Sequence, residues 1–173
     1  MNKSISLLLS SLFALGLSVP AHAAGPNDAQ IAAIVVAANT VDIDAGKQAE
    51  TKSKNKDVRA FAKRMVADHS GVNKQATALV QKLHVTPEDN DTSKSLTQGG
   101  EATRTKLAGL SGKAFDQAYV DNEVTYHQTV LDALDKTLIP NASNAELKAL
   151  LVKVRPAFVA HLEHAKHIQA ELK

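Results

Sequence analysis

The sequence predicts an all-α protein, a four-helix bundle with a long crossover between its second and third helices. Three observations carry this reading. In four long segments apolar residues recur at alternating steps of three and four, the seam by which a helix faces a bundle core. Two links between those segments are short and one is long. No segment reads as a strand.

The amino-terminal residues are a targeting signal and stand apart from the fold. Lys3 supplies a positive start, Ile5 to Leu17 an apolar run, and Pro20-Ala21-His22-Ala23 a small-residue cleavage pattern, with the cut expected after Ala23. The apolar run is short for a membrane span, so an uncleaved anchor is the alternative. No cysteine follows it, which argues against a lipoprotein, and the expected destination is the periplasm or the exterior. Residues 24–173 have the size of one domain, and no membrane span is expected within them. With no cysteine among 173 residues, an exported chain must be held by packing, or by packing plus a metal. The formal net charge of +2 includes Lys3; the basic residues are scattered, and no aromatic stacking platform accompanies them. Nucleic acid is therefore not an expected partner.

Taken in order, Asn27-Asp28 offers capping chemistry to a first helix ending near Ser53, where Lys54-Asn55-Lys56-Asp57 makes a polar turn. A second helix spans about Asp57 to Leu83 and stops before Val85-Thr86-Pro87. His84 falls in its last turn, where a partly charged imidazole suits the helix dipole. Between Thr92 and Leu110 the periodicity is weak and Gly99-Gly100 interrupts it, which predicts a short broken crossover folded onto the end of the bundle through Leu96, Leu107 and Leu110. Ser111-Gly112 opens the third long helix, ending at Leu138-Ile139-Pro140. Ser143 and Glu146 have the spacing of a capping box for the fourth. Pro156 lies inside that helix and predicts a kink or break before His161, either to aim His161 and His164 or to bend the helix around the core. This connectivity is ferritin-like.

Every seam is broken by a group costly to bury. The first reads Ile31, Val35, Ala38, Asp42, Ala45, Ala49, and the second Val58, Ala62, Met65, His69, Val72, Ala76. The third carries His127, with Glu123 on its flank, and the fourth carries His161, with His164 nearly one turn beyond. Asp42 and His69 each lie about twelve residues, about 18 Å, from the turn joining their helices, so they should face each other. Glu123 and His161 are likewise level, with His127 and His164 a turn to either side. Asp42, His69, Glu123, His127, His161 and His164 are thus the candidate metal ligands.

Ferritin-like carboxylate proteins build a di-metal centre from a Glu on each of two helices and a Glu-x-x-His on each of the others. Here Val66 stands three residues before His69, and the fourth helix reads His161-Leu162-Glu163-His164, so the two Glu-x-x-His carboxylates are missing. Fewer carboxylates and more imidazoles favour one transition-metal ion, Zn, Cu, Ni, Co or Fe, with no organic cofactor. Asp68 and Glu163 point off the core and suit acceptors behind the histidines, or solvated charges. Tyr119 and Tyr126 lie near the site, where core packing is the commoner use. The alternative for the whole set is a metal-free polar network, for instance Asp42 paired with His69, that fixes helix register.

Val58-Arg59-Ala60-Phe61-Ala62, Met65-Val66-Ala67-Asp68-His69, Leu110-Ser111-Gly112-Lys113-Ala114-Phe115-Asp116-Gln117-Ala118-Tyr119, His127 and His161-Leu162-Glu163-His164 together resemble a widespread bacterial family. Its members are exported ferritin-like four-helix proteins of unknown function, often labelled outer-membrane or periplasmic proteins. The resemblance spans essentially all of the mature chain and implies a fold and a location rather than an activity. A Glu is common in that family where Asp42 stands, and Glu123 often corresponds to an apolar residue.

The expected function is metal binding in the core, for sequestration, sensing or envelope stress protection. A metal-dependent redox enzyme is one alternative, with Tyr126 near the ion, and a metal-free structural or interaction module is the other. No nucleophile elbow, phosphate-binding glycine loop or Ser/His/Asp arrangement stands out, so an enzyme is the less favoured reading.

Overall fold

Asparagine opens four of the five long helices. The computed structural model describes residues 25–173, and the targeting segment lies outside the described residues. Helix α1 (Asp28–Lys52) is capped by Asn27, whose side chain accepts from the Gln30 amide while Gln30 returns a bond to Asn27. Helix α2 (Lys56–Lys82) is capped by Asn55, and α3 (Asp91–Ala108) by Asn90 in a reciprocal box with Ser93. Helix α4 (Gly112–Ala133) starts after Ser111, and α5 (Ala145–Glu171) is capped by Asn144. Each Asn oxygen satisfies backbone N–H groups that the first turn leaves without partners, and Asp28, Asp57, Asp91 and Glu146 add negative charge at the positive end of the helix dipole. Among the described residues there is no strand.

Helix α1 packs along α2 and α3, α4 along α5, α2 against α5, and α1 touches α4. Helices α1, α2, α5 and α4 thereby surround the interior, and α3 lies outside them on α1 and α4. Helix α1 is long and apolar enough to cross a membrane, but more than half of its apolar stretch is buried within the fold. Side chains from the four surrounding helices, with Leu107 of α3, build two apolar clusters. One holds Ile31, Ile34, Val72, Leu131, Leu151 and their neighbours; the other holds Ala49, Phe61, Met65, Phe115, Tyr119 and Ile168 among others.

Four local features depart from expectation. The Gly99-Gly100 pair does not break α3, which runs along α1 instead of capping the bundle end. A Cβ at Gly100 would lie 2.7 Å from a Val41 methyl, so this glycine permits close helix approach. The cap of α5 is Asn144 rather than Ser143, because the Ser143 and Asn144 amides both donate to the Asp28 carboxylate, each at 2.9 Å. The third long helix passes Pro140: α4 continues through one π-helical turn (Leu134–Leu138) and a short helical piece (Ile139–Asn141). Pro140 has no N–H to donate, and the wider turn re-registers the backbone just before it. Helix α5 is unbroken through Pro156.

Candidate metal centre

One layer of polar side chains separates the two apolar clusters, and all four surrounding helices contribute to it. Helix α1 brings Asp42, α2 His69, α4 Glu123 and His127 on one face, and α5 His161, every one at most 3% exposed. The three imidazole rings form a near-equilateral triangle, with centroids 5.5 Å apart for His69 and His127 and 5.4 Å apart for the other two pairs. Phe158 stacks on His69 at 4.9 Å and closes the apolar side of the layer.

Each ring has one nitrogen fixed by an acceptor. The Asn39 amide donates to the Val35 carbonyl at 2.7 Å, which leaves its oxygen to accept from Nδ1 of His69, also at 2.7 Å. Nδ1 of His127 donates to the Glu123 backbone carbonyl at 3.0 Å. Nε2 of His161 donates to the Asp68 carboxylate at 2.9 Å. In the neutral ring the other nitrogen then carries a lone pair. Those nitrogens, Nε2 of His69, Nε2 of His127 and Nδ1 of His161, are buried and have no hydrogen-bond partner. Both carboxylate oxygens of Asp42 and of Glu123 are also buried without one. Oδ2 of Asp42 stands 3.2 Å from Nε2 of His69 and 3.5 Å from Nε2 of His127, and Oε2 of Glu123 stands 3.5 Å from Nδ1 of His127.

Such a concentration of unpaired acceptors is expensive in a core. Burial pushes Asp42 up to about 8, and it raises Glu123 well above the usual carboxylate range, with the nearby Asp42 charge adding to the effect. Burial lowers all three imidazoles, His127 to about 4, and the neighbouring rings lower His69 and His127 further. In the ligand-free layer the carboxyls therefore keep protons and the imidazoles do not. The ligand atoms of His69, His127 and His161 lie within 4.8 Å of one another, as do those of Asp42, Glu123 and His127. A cation placed among them would satisfy several lone pairs at once, and imidazole with carboxylate is a donor set that transition metals favour.

Five of the six residues singled out from sequence meet in this layer, and His164 does not. It follows His161 by three residues, which carries it most of a turn toward the second apolar cluster. There it is half-buried, with its ring edge-on to Phe61 at 5.3 Å. Asp68 lies at the surface end of the His161 hydrogen bond, beside Arg64 at 3.3 Å. Asn39 escaped the sequence reading. Its only signal was an amide one turn before Asp42 on an otherwise apolar stripe. Tyr126 donates to the Ala38 carbonyl at 2.9 Å, and the Tyr119 hydroxyl is buried without a partner.

Fold and layer together define a class, an all-helical protein with a buried histidine-carboxylate cluster suited to a metal ion. Residues 17–168 match the family model described as a domain of unknown function, DUF4142, and the chain belongs to that family. Among solved structures the fold is similar to that of CopM in the Cu(II)-bound form. The TM-score is 0.64 at 16% identity, over 84% of this chain and 98% of that one. No curated protein sequence matches significantly.

Proposed function

We propose that this chain is an exported metal-binding protein, with residues 1–23 as a signal removed after Ala23 and residues 24–173 as a single ferritin-like four-helix bundle in which α3 is the crossover. His69, His127 and His161 take one transition-metal ion, with Asp42 and Glu123 as adjoining carboxylate donors. The ion is cargo or signal, for sequestration, sensing or envelope stress protection in the periplasm or outside the cell. One observation carries this reading: three buried imidazoles each have one nitrogen held by an acceptor and the other left without a partner. Oxygen acceptors behind ligating histidines fix the ring and raise its basicity, and Asn39, the Glu123 carbonyl and Asp68 occupy that position here.

The donor set contains three nitrogens and two carboxylates, and Cu(II) heads the affinity order of divalent first-row ions for such sites. The likeness to a protein solved with Cu(II) supports beginning with that ion. The first experiment is metal analysis of the mature protein purified without chelator or affinity tag, followed by titration of the apo form with Cu(II), Zn(II), Ni(II), Co(II) and Fe(II). Near-stoichiometric binding that His69→Ala and His161→Ala abolish is the expected result. Absence of metal, with no tight binding of any of these ions, would leave a register-setting polar layer in its place. Asp68→Asn keeps every ligand but weakens the acceptor behind His161, and is expected to lower affinity about 10- to 100-fold.

A further inference from the structure

A cavity of about 350 Å³ lies between α1, α3 and α4 and opens to the surface. Its inner end is Asp42 and Glu123, and none of the three clustered histidines lines it. The outer wall comes from α3, where exposed Thr92, Ser95 and Gly99 leave room that larger side chains would fill. Asp42 and Glu123 are the only acidic residues in the lining and no Lys, Arg or His joins them, so nothing there repels a cation. Tyr126 forms part of the inner wall, and its bond to the Ala38 carbonyl holds it in place.

Other approaches to the layer are less suitable. On the far side His161 presents a protonated nitrogen, occupied by Asp68, with the Arg64 guanidinium next to it. A second cavity, of about 130 Å³, reaches Asn39 and Phe158 but is lined almost wholly by apolar groups and holds no carboxylate. Of these approaches within the described residues, the α3 cavity is the one that runs from the surface up to carboxyl oxygens with unused lone pairs. Six waters around an ion, at about 30 Å³ each, need about 180 Å³, less than the volume of this cavity.

We infer that this cavity is the port through which a hydrated divalent cation enters, exchanging waters for the Asp42 and Glu123 oxygens before the imidazoles bind it, with α3 forming the mouth. The inference rests on the metal-binding reading above. It assigns the crossover helix a role in uptake rate rather than in affinity.

Filling the mouth while leaving every proposed ligand in place isolates the port. A Cβ at Gly99 meets no atom within 4 Å, so a side chain there has room without displacing the helix. In stopped-flow mixing of the apo protein with Cu(II), read by absorbance, Gly99→Phe is expected to associate about tenfold more slowly than wild type, since entry then waits on an opening motion. The amount bound and the final spectrum should not change, and Gly99→Ala should match wild type. Ser95→Leu narrows the same wall and serves if Gly99→Phe perturbs helicity. Unchanged association in the filled variants, with binding intact, overturns the port and leaves the imidazole site standing. Failure of wild type to take up Cu(II) or the other ions overturns both.

Discussion

The two apolar clusters and the polar layer between them are built mainly on the same four helices, yet they act on stability in opposite directions. In the cluster around Phe61 and Met65, side chains with no solvent exposure pack on one another and favour the folded state. Four residues away along α2, His69 occupies an equivalent inward position and leaves a nitrogen unpaired. A chain selected for stability alone would have continued the seam with leucine. The layer thus offers lone pairs that packing leaves unused, and a bound cation would satisfy them.

The largest expected effect belongs to the cluster. Phe61→Ala removes a fully buried ring that meets Tyr119 edge-on at 6.3 Å. A loss of about 3–5 kcal/mol is expected, equal with and without metal, in denaturant unfolding. A metal-dependent loss would erase the separation between cluster and layer.

His161→Leu should behave in the opposite way. The variant discards a buried unpaired nitrogen, and Asp68, 42% exposed, remains hydrated without its partner. Apo stability is expected to stay level or rise by about 1 kcal/mol. The stabilisation that metal confers, about 4 kcal/mol at a thousandfold excess over Kd, should disappear. Calorimetric melts of both proteins with and without Cu(II) check this, and an apo form markedly weakened by the substitution would favour a structural role for the histidine.

Acidity gives the next contrast. Asp42 is held near 8 in the fold against an ordinary 3.8, so between those values the folded state keeps a proton that the unfolded state has released, and rising pH destabilises. His127 is held near 4 against 6.5, so the unfolded state binds the extra proton between those values, and rising pH stabilises. The lowered histidines and the raised carboxyls oppose each other up to about pH 6.5, above which the carboxyls of Asp42 and Glu123 dominate. Apo stability should therefore fall from about pH 6.5 to 8. The metal-loaded protein should not follow, because ligation keeps the donors deprotonated and affinity rises as competing protons leave. Urea melts across that range, with and without ion, decide it; parallel curves would separate the layer from metal binding.

How far the layer could be read in advance depended on whether its information was local. Asp42 and His69 interrupt regular seams at equal distance from a short turn, and periodicity with helical rise was enough to place them opposite each other. His164 shares a face with His161 only approximately, and the axial step of three residues decided its surroundings. The role of Asn39 depends on a ring thirty positions away. At the start of α5, Ser143 and Asn144 are both capable caps; the choice falls to Asn144 where Asp28, from the far end of the chain, takes the Ser143 amide. Gly100 looked like a helix breaker because a close approach to Val41 leaves no trace in local sequence.

His84 gives the smallest effect and a histidine wholly outside the layer. It is exposed just past α2 with φ of 53°, its amide bonded to the Gln81 carbonyl and the next amide to Val80, which closes the helix end at a position glycine fills most easily. A side chain in this left-handed conformation costs about 1–2 kcal/mol, part of which glycine returns through its freer unfolded chain. His84→Gly is therefore expected to raise stability by about 0.5 kcal/mol, which corresponds to a Tm increase of about 1–2 °C in a domain of this size. The shift should be the same in apo and metal-loaded protein. A change in metal affinity in this variant would mean that imidazoles beyond the layer contribute to capture, and the division between packed ends and binding centre would need redrawing.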